Sequence, residues 1–245
     1  MEGMLEMKRL LAAVLLLALL SGCGAAPAKK TVKPAGGANR YASAAGLDPA
    51  AELLRVDGQT VTAGQYLYWL ANTCGKIKKY YGGKADWDTR VDGQTLAEYA
   101  AGQALQTARF CAVVESQAKK AGCTLTDAER RSAAAQADRR SAALGLDKAT
   151  ARKFCEDSRL YGKLYRKFCT KDSGIYPTQA ALEKFASDRK LTAENAWAAY
   201  FDVWLEHTAE RAPVKKREAY EKLDAGAFYT KLCALQTEKK NAKKK

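Results

Sequence analysis

Among residues able to do covalent chemistry, cysteine stands out: there are seven in 245 residues, against a single histidine, His207. Six of them, Cys74, Cys111, Cys123, Cys155, Cys169 and Cys233, contain no C-x-x-C pair. A zinc site would have to gather thiolates from scattered positions, so no metal or other cofactor is expected. One histidine excludes a two-histidine site, and neither a nucleophile elbow nor a phosphate-cradling glycine loop is visible. Asp86 and Asp88 flank Trp87 and read as solvated loop carboxylates. No catalytic residue is assigned.

Cys23 has a different setting. It follows Leu20, Ser21 and Gly22, and those follow a charged pair, Lys8 and Arg9, and an apolar run from Leu10 to Leu20. That order is the layout of an export signal. The apolar run is about half the roughly 20 residues that a bilayer-spanning helix needs. Leu20 to Cys23 resemble the lipobox of bacterial lipoproteins, which implies cleavage before Cys23 and transfer of a diacylglyceryl group to its thiol. Residues 1–22 are then a signal peptide, and the chain is expected outside the cell membrane, lipid-anchored to it. Two acyl chains hold firmly, since each buried methylene contributes about 0.8 kcal/mol. The competing reading is an ordinary secretory signal in which Cys23 is incidental.

Residues 23–50 are rich in Ala, Gly, Pro, Lys and Ser, a composition that cannot bury a core, and are expected to form a flexible tether. The formal charge of +14 predicts a basic surface. Nucleic acid is not the expected partner, because no zinc-finger, cold-shock or RNA-binding aromatic motif is present. Anionic lipid or a cell-wall polymer fits better. Lys239, Lys240, Lys243, Lys244 and Lys245 form a basic tail that would be drawn to such surfaces, or a solvated end. The six remaining cysteines are even in number, which permits disulfides in an exported chain. Cys155 beside Phe154 and Cys169 beside Phe168 fit small buried thiols equally well.

The elements that must position these residues are mainly helical. Glu52 to Val56 is β-compatible, Asp57-Gly58 is a turn signal, and Thr60-Val61 continues as an extended segment. Thr62 with Gln65 makes a capping-box pattern for a helix to about Lys76. Residues 80–93 read as a loop. Thr95 with Glu98 opens a long helix to Lys120, and Thr126 with Glu129 opens a peripheral one to about Leu144. An amphipathic helix follows from Lys148 to about Cys169. Further helices start after Thr178 and Thr192, and a last one runs from about Pro213 to Leu235, interrupted near Gly226. Residues 197–206 fit a helix face, although Phe201, Val203 and Leu205 also alternate as in a strand. No periodic repeat is apparent.

The succession Val56-Asp57-Gly58-Gln59-Thr60-Val61-Thr62, then Tyr66-Leu67-Tyr68, then Thr124-Leu125-Thr126-Asp127, resembles the N-terminal chaperone domain of the SurA and PrsA families of exported foldases. The resemblance covers residues 51–172 and implies a multi-helix domain with a short N-terminal β segment. Residues 173–245 would be a C-terminal helical extension holding at most a remnant of the parvulin isomerase domain. Asp202 would stand where that family has histidine, and its Gly-Gly-Asp stretch and second histidine are missing, so peptidyl-prolyl isomerase activity is not expected. The resemblance implies a holdase for unfolded or nascent exported proteins that works without ATP. Its client-facing candidates are Tyr66, Tyr68, Trp69, Tyr80, Tyr81, Trp87, Trp197 and Trp204, because aromatic side chains give large adaptable contact area. For each, core packing is the competing role. The alternative functions are a cell-surface or cell-wall-binding lipoprotein without chaperone activity and an isomerase with an unrecognised site.

Overall fold

The structure is a computed structural model that describes residues 39–83, 85–171 and 173–242. Leu20, Ser21, Gly22 and Cys23, with the signal and most of the expected tether, lie outside the described residues, as do Lys243, Lys244 and Lys245. The fold is mainly helical, as expected. No helix among the described residues is long and apolar enough to cross a membrane.

The chain enters at α1 (Arg40–Ala45), then forms the hairpin β1 (Glu52–Val56) and β2 (Gln59–Thr62) and helix α2 (Ala63–Tyr80). A second hairpin, β3 (Arg90–Val91) and β4 (Gln94–Thr95), leads into α3 (Leu96–Lys120). Next come α4 (Asp127–Leu144), α5 (Lys148–Phe168), α6 (Gln179–Arg189) and α7 (Ala193–Arg211). Strand β5 (Val214–Lys216), a single turn α8 (Glu218–Glu221) and α9 (Ala225–Ala242) complete it.

The expected helix starts are physical caps. Thr95 Oγ1 accepts from the Glu98 amide at 3.1 Å while Glu98 Oε2 accepts from the Thr95 amide at 2.7 Å, and Thr126 with Glu129 repeats the exchange. Each pair satisfies amides that the first turn of a helix leaves without partners. Both hairpins turn on Asp-Gly with positive φ, 46° and 81° at Asp57 and Gly58, and 50° and 82° at Asp92 and Gly93. These are mirror-image turns whose twist matches that of the flanking strands.

Four expectations about the layout are corrected. The tether does not extend to residue 50, because Tyr41, Ala42 and Ala44 of α1 are buried in the core. Asn39 caps that helix, and the Tyr41 hydroxyl donates to the Leu144 carbonyl at 2.9 Å. The loop expected at residues 80–93 holds β3 and the Asp92-Gly93 turn of a hairpin whose second strand, β4, follows directly. The last helix does not start at Pro213: the chain stays extended, and β5 pairs antiparallel with β1, Val56 opposite Val214 and Leu54 opposite Lys216. The sheet order is therefore β2-β1-β5.

That strand order also removes the boundary expected near residue 172. Val56 and Leu67 share one buried cluster with Phe201, Phe228 and Leu232, and α9 packs on α1, α2 and α3. Helix α4 is peripheral, as its sequence indicates, burying only Ala133, Ala137 and Ser141. The basic tail expected from Lys239 starts inside α9, which runs to Ala242.

Between α3 and α5 lies a charged cluster. Lys153 Nζ stands 2.6 Å from Asp157 and 2.7 Å from Glu115. Burial pushes the Asp157 carboxyl up to about 6 even though Lys153 opposes it, because Glu115 shares the ammonium and Glu156 adds further negative charge. A carboxyl raised in this way contributes stability below its unfolded value, about 3.9, and loses that contribution as pH rises through its folded value. Asp157→Asn has nothing to titrate there. Denaturant midpoints of the native chain should fall relative to the variant as pH rises from about 4 to about 7, and parallel profiles would exclude this assignment.

Candidate functional site

Helix α7 decides the geometry. Phe201, Leu205 and Ala209 recur every four residues and are buried, so this face is pressed inward. Phe201 meets the rings of Tyr161, Tyr165, Phe168 and Trp204 at centroid distances of 5.1 to 5.8 Å. A neighbouring face then carries Tyr200, Trp204, His207 and Arg211 outward along one line, consistent with helical spacing. Helix α6, capped by Thr178, lies alongside and adds Phe185 and Arg189.

These side chains wall a cleft of about 630 Å³. Its far wall is the C-terminal end of α3, with Gln117 and Lys120, and the tip of the β1–β2 turn, with Asp57. That tip is fixed from several sides. The Asp57 carboxylate accepts a short hydrogen bond from the Ser116 hydroxyl and pairs with Lys120 at 3.0 Å, and the Asp57 amide donates to the Pro213 carbonyl at 3.1 Å. The Ser116 hydroxyl, and then Lys120, hold the Asp57 carboxyl below its ordinary range.

The floor is aromatic and the rim is cationic. Phe185 meets Tyr200 edge to face at 4.9 Å, and the Arg189 guanidinium lies 4.5 Å over Phe185. Arg211 has no carboxylate partner among the described residues. Lys120 is neutralised by Asp57, so Arg189 and Arg211 give the cleft its positive character. Phe185, Tyr200, Val203 and Trp204 are half-buried, which leaves apolar area that a ligand could still cover.

The expected client-facing aromatics do not form one surface. Tyr66 and Trp69 are 1% exposed and are corrected to core residues; the Tyr66 hydroxyl donates to the Ala101 carbonyl at 3.2 Å. Tyr68 is half-buried and, like Trp69, packs on Phe154. Trp87 packs edge to face on Tyr229 at 5.5 Å. Tyr80 and Tyr81 meet edge to face, with Tyr81 packed against the core and Tyr80 63% exposed. Trp197 lies between Phe168 and Tyr176. Of the set, only Trp204 lines the cleft. Phe185, Tyr200, Arg189 and Arg211 were missed, although Tyr200, Trp204, His207 and Arg211 could have been found as a single helical stripe.

Asp202 lies on α7, where its carboxylate accepts the Tyr161 hydroxyl; residues 197–206 are helical, and no strand of the parvulin kind forms there. The six described cysteines carry thiols without disulfides. Burial, with Cys233 nearby, pushes the Cys74 thiol up to about 12, and burial raises Cys111 as well. Such thiols are poor nucleophiles because the reactive thiolate is scarce. No group of His, Cys, Asp and Glu suited to a metal occurs among the described residues. Comparison of the chain with protein-family models, curated proteins and solved structures finds no match.

Proposed function

We propose that this protein is an exported, lipid-anchored holdase that takes up unfolded segments of other exported proteins in the cleft between the α6–α7 hairpin and the end of α3. The carrying observation is the juxtaposition of half-buried Phe185, Tyr200 and Trp204 with the cations of Arg189 and Arg211. Aromatic area supplies non-directional affinity for many sequences. The two guanidiniums favour segments carrying carboxylates and add a component that salt weakens. Among the described residues no cysteine lines the cleft, and its aromatic and cationic side chains support a binding role. Membrane attachment through a diacylglyceryl group on Cys23 belongs to the same reading and rests on the order of residues 8–23.

The test is suppression of client aggregation by the purified chain, together with refolding limited by proline isomerisation. Phe185→Ala combined with Arg211→Gln should weaken client binding about tenfold, equivalent to about 1.4 kcal/mol, while the melting temperature stays close to that of the native chain. Unchanged suppression in this variant would remove the cleft from the account. Accelerated proline-limited refolding would favour an isomerase, and binding to purified wall polymer without any effect on clients would favour a wall-binding lipoprotein.

A further inference from the structure

The α4–α5 hairpin carries a second concavity, which shares no lining residue with the aromatic cleft. It has a volume of about 450 Å³ and is walled by Ser132, Gln136 and Arg139 of α4 and by Arg159, Gly162 and Arg166 of α5. Arg159 is held in place by neutral acceptors. Its Nη1 donates to Gln136 Oε1 at 3.1 Å and to the Cys155 carbonyl at 3.2 Å, and its Nη2 donates to Ser132 Oγ at 2.9 Å. None of these acceptors cancels its charge.

Arg139 and Arg166 are exposed and have no carboxylate partner among the described residues. Glu129, the one acid on the groove wall, is committed to Lys163 at 2.6 Å; that ammonium is the main reason its carboxyl is held down at about 2. The floor is open at Gly162, where an added Cβ would come near only Arg166 Nη1, at 3.8 Å. The exposed guanidiniums of Arg139 and Arg166 provide the fork-shaped donors that phosphate oxygens accept in pairs, and Arg159, whose Nη atoms are already engaged, adds uncancelled positive charge to the open groove.

We propose that the α4–α5 groove binds the phosphate headgroups of an anionic lipid surface. The entry point of the chain argues for lipid over a soluble phosphate. The Arg40 amide donates to the Gly145 carbonyl at 3.0 Å, and Asn39 Nδ2 donates to Asp147 Oδ2 at 2.8 Å, so the first described residues are fixed at the corner between α4 and α5. Arg139 is six residues before Gly145, about 9 Å along the helix at 1.5 Å per residue. A lipidated Cys23 is 16 residues before Asn39, and 16 residues span at most about 55 Å in any conformation. The tether therefore keeps this corner, with Arg139 beside it, within about 55 Å of the bilayer, and Arg159 and Arg166 follow about 18 and about 28 Å farther along α5. The choice of lipid rests on the reading of Cys23; the charge of the groove does not.

The test is flotation of the full chain carrying Cys23→Ala, which excludes an acyl anchor, with vesicles of phosphatidylcholine alone or mixed with phosphatidylglycerol. Arg139→Gln with Arg166→Gln should reduce partitioning onto the anionic vesicles by about fivefold per arginine, about 25-fold together, and leave the neutral-vesicle signal unchanged. Lys215→Gln with Lys231→Gln removes the same charge elsewhere and should lose far less. Equal losses in the two double variants would overturn the groove. Vesicle partitioning unaffected by the arginine variant, with polyphosphate binding that the variant abolishes, would assign the groove to a soluble phosphate ligand and overturn the lipid proposal. Mass analysis of the native chain from cells separately tests acylation at Cys23, so failure of the anchor and failure of the groove are distinguishable.

Discussion

Phe168→Ala is expected to destabilise the fold by about 3–5 kcal/mol, the usual cost of emptying a large aromatic site in a packed core. Phe168 is 1% exposed at the end of α5, and its ring meets Trp204 at 5.3 Å, Phe201 at 5.1 Å, Tyr200 at 6.2 Å and Trp197 at 6.3 Å. All four partners are on α7, so this side chain sets where the aromatic floor of the cleft stands. Denaturant titration should show a lower midpoint with unchanged slope. The fluorescence of Trp197 and Trp204 should shift toward that of solvent-exposed indole, and client binding should fall with it. A midpoint within about 1 kcal/mol of the native value would mean that α7 is positioned chiefly by α3 and the cleft is less dependent on α5.

Gly64→Ala is the second large effect, and its sign runs against helix propensity. Alanine in a helix interior is favoured over glycine by about 1 kcal/mol. Gly64 lies in the first turn of α2, and a Cβ there would overlap Thr150 Oγ1 and stand 2.8 Å from Asn39 Nδ2 and 3.2 Å from the Pro49 carbonyl. Those groups are already engaged: Thr150 Oγ1 and Asn39 Nδ2 donate to Asp147 Oδ2 at 2.7 and 2.8 Å, and the Gly64 amide donates to Pro49 O at 2.9 Å. Overpacking of about 1–3 kcal/mol should win, and α1 should detach from the α4–α5 corner first. Gly102, exposed on α3 with nothing within 4 Å of its Cβ position, is the matched control, and Gly102→Ala should stabilise by about 1 kcal/mol. A double-mutant cycle with Thr150→Ala isolates the clash, because removing Oγ1 should relieve part of the Gly64→Ala cost. Equal stabilisation by both glycine substitutions would sink the argument.

Much of the local structure was legible because its causes are local. A capping box needs a threonine and an acid or amide three residues later, and both Thr95 with Glu98 and Thr126 with Glu129 form as written. The Asp57-Gly58 turn was read correctly. The same five residues, Val-Asp-Gly-Gln-Thr, recur at 56–60 and 91–95, and the second copy forms a hairpin as well. The repeat is the signal that locates β3 inside the supposed loop and β4 directly after it. Strand β5 had no such signal. Val214, Lys215 and Lys216 have little strand character of their own, and they become a strand because β1 offers an open edge at the moment the chain returns to it.

The sequence by itself determined the helix starts at Thr62, Thr95, Thr126, Thr178 and Thr192, the Asp57-Gly58 turn, the basic charge, and the expectation that Cys23 carries a lipid. Each depends on neighbours within a few residues or on composition alone. Only the tertiary structure decided which aromatic and cationic side chains meet. Tyr66, Trp69, Trp197 and Trp204 all recur at helical spacing, yet Tyr66 and Trp69 are sealed between α2 and its neighbours while Trp204 remains half-open beside Phe185 and Arg189. Arg139 and Arg159 come from different helices and converge only because α4 folds back on α5. Periodicity tells which residues share a face of one helix; what that face meets is fixed by packing between elements distant in the chain.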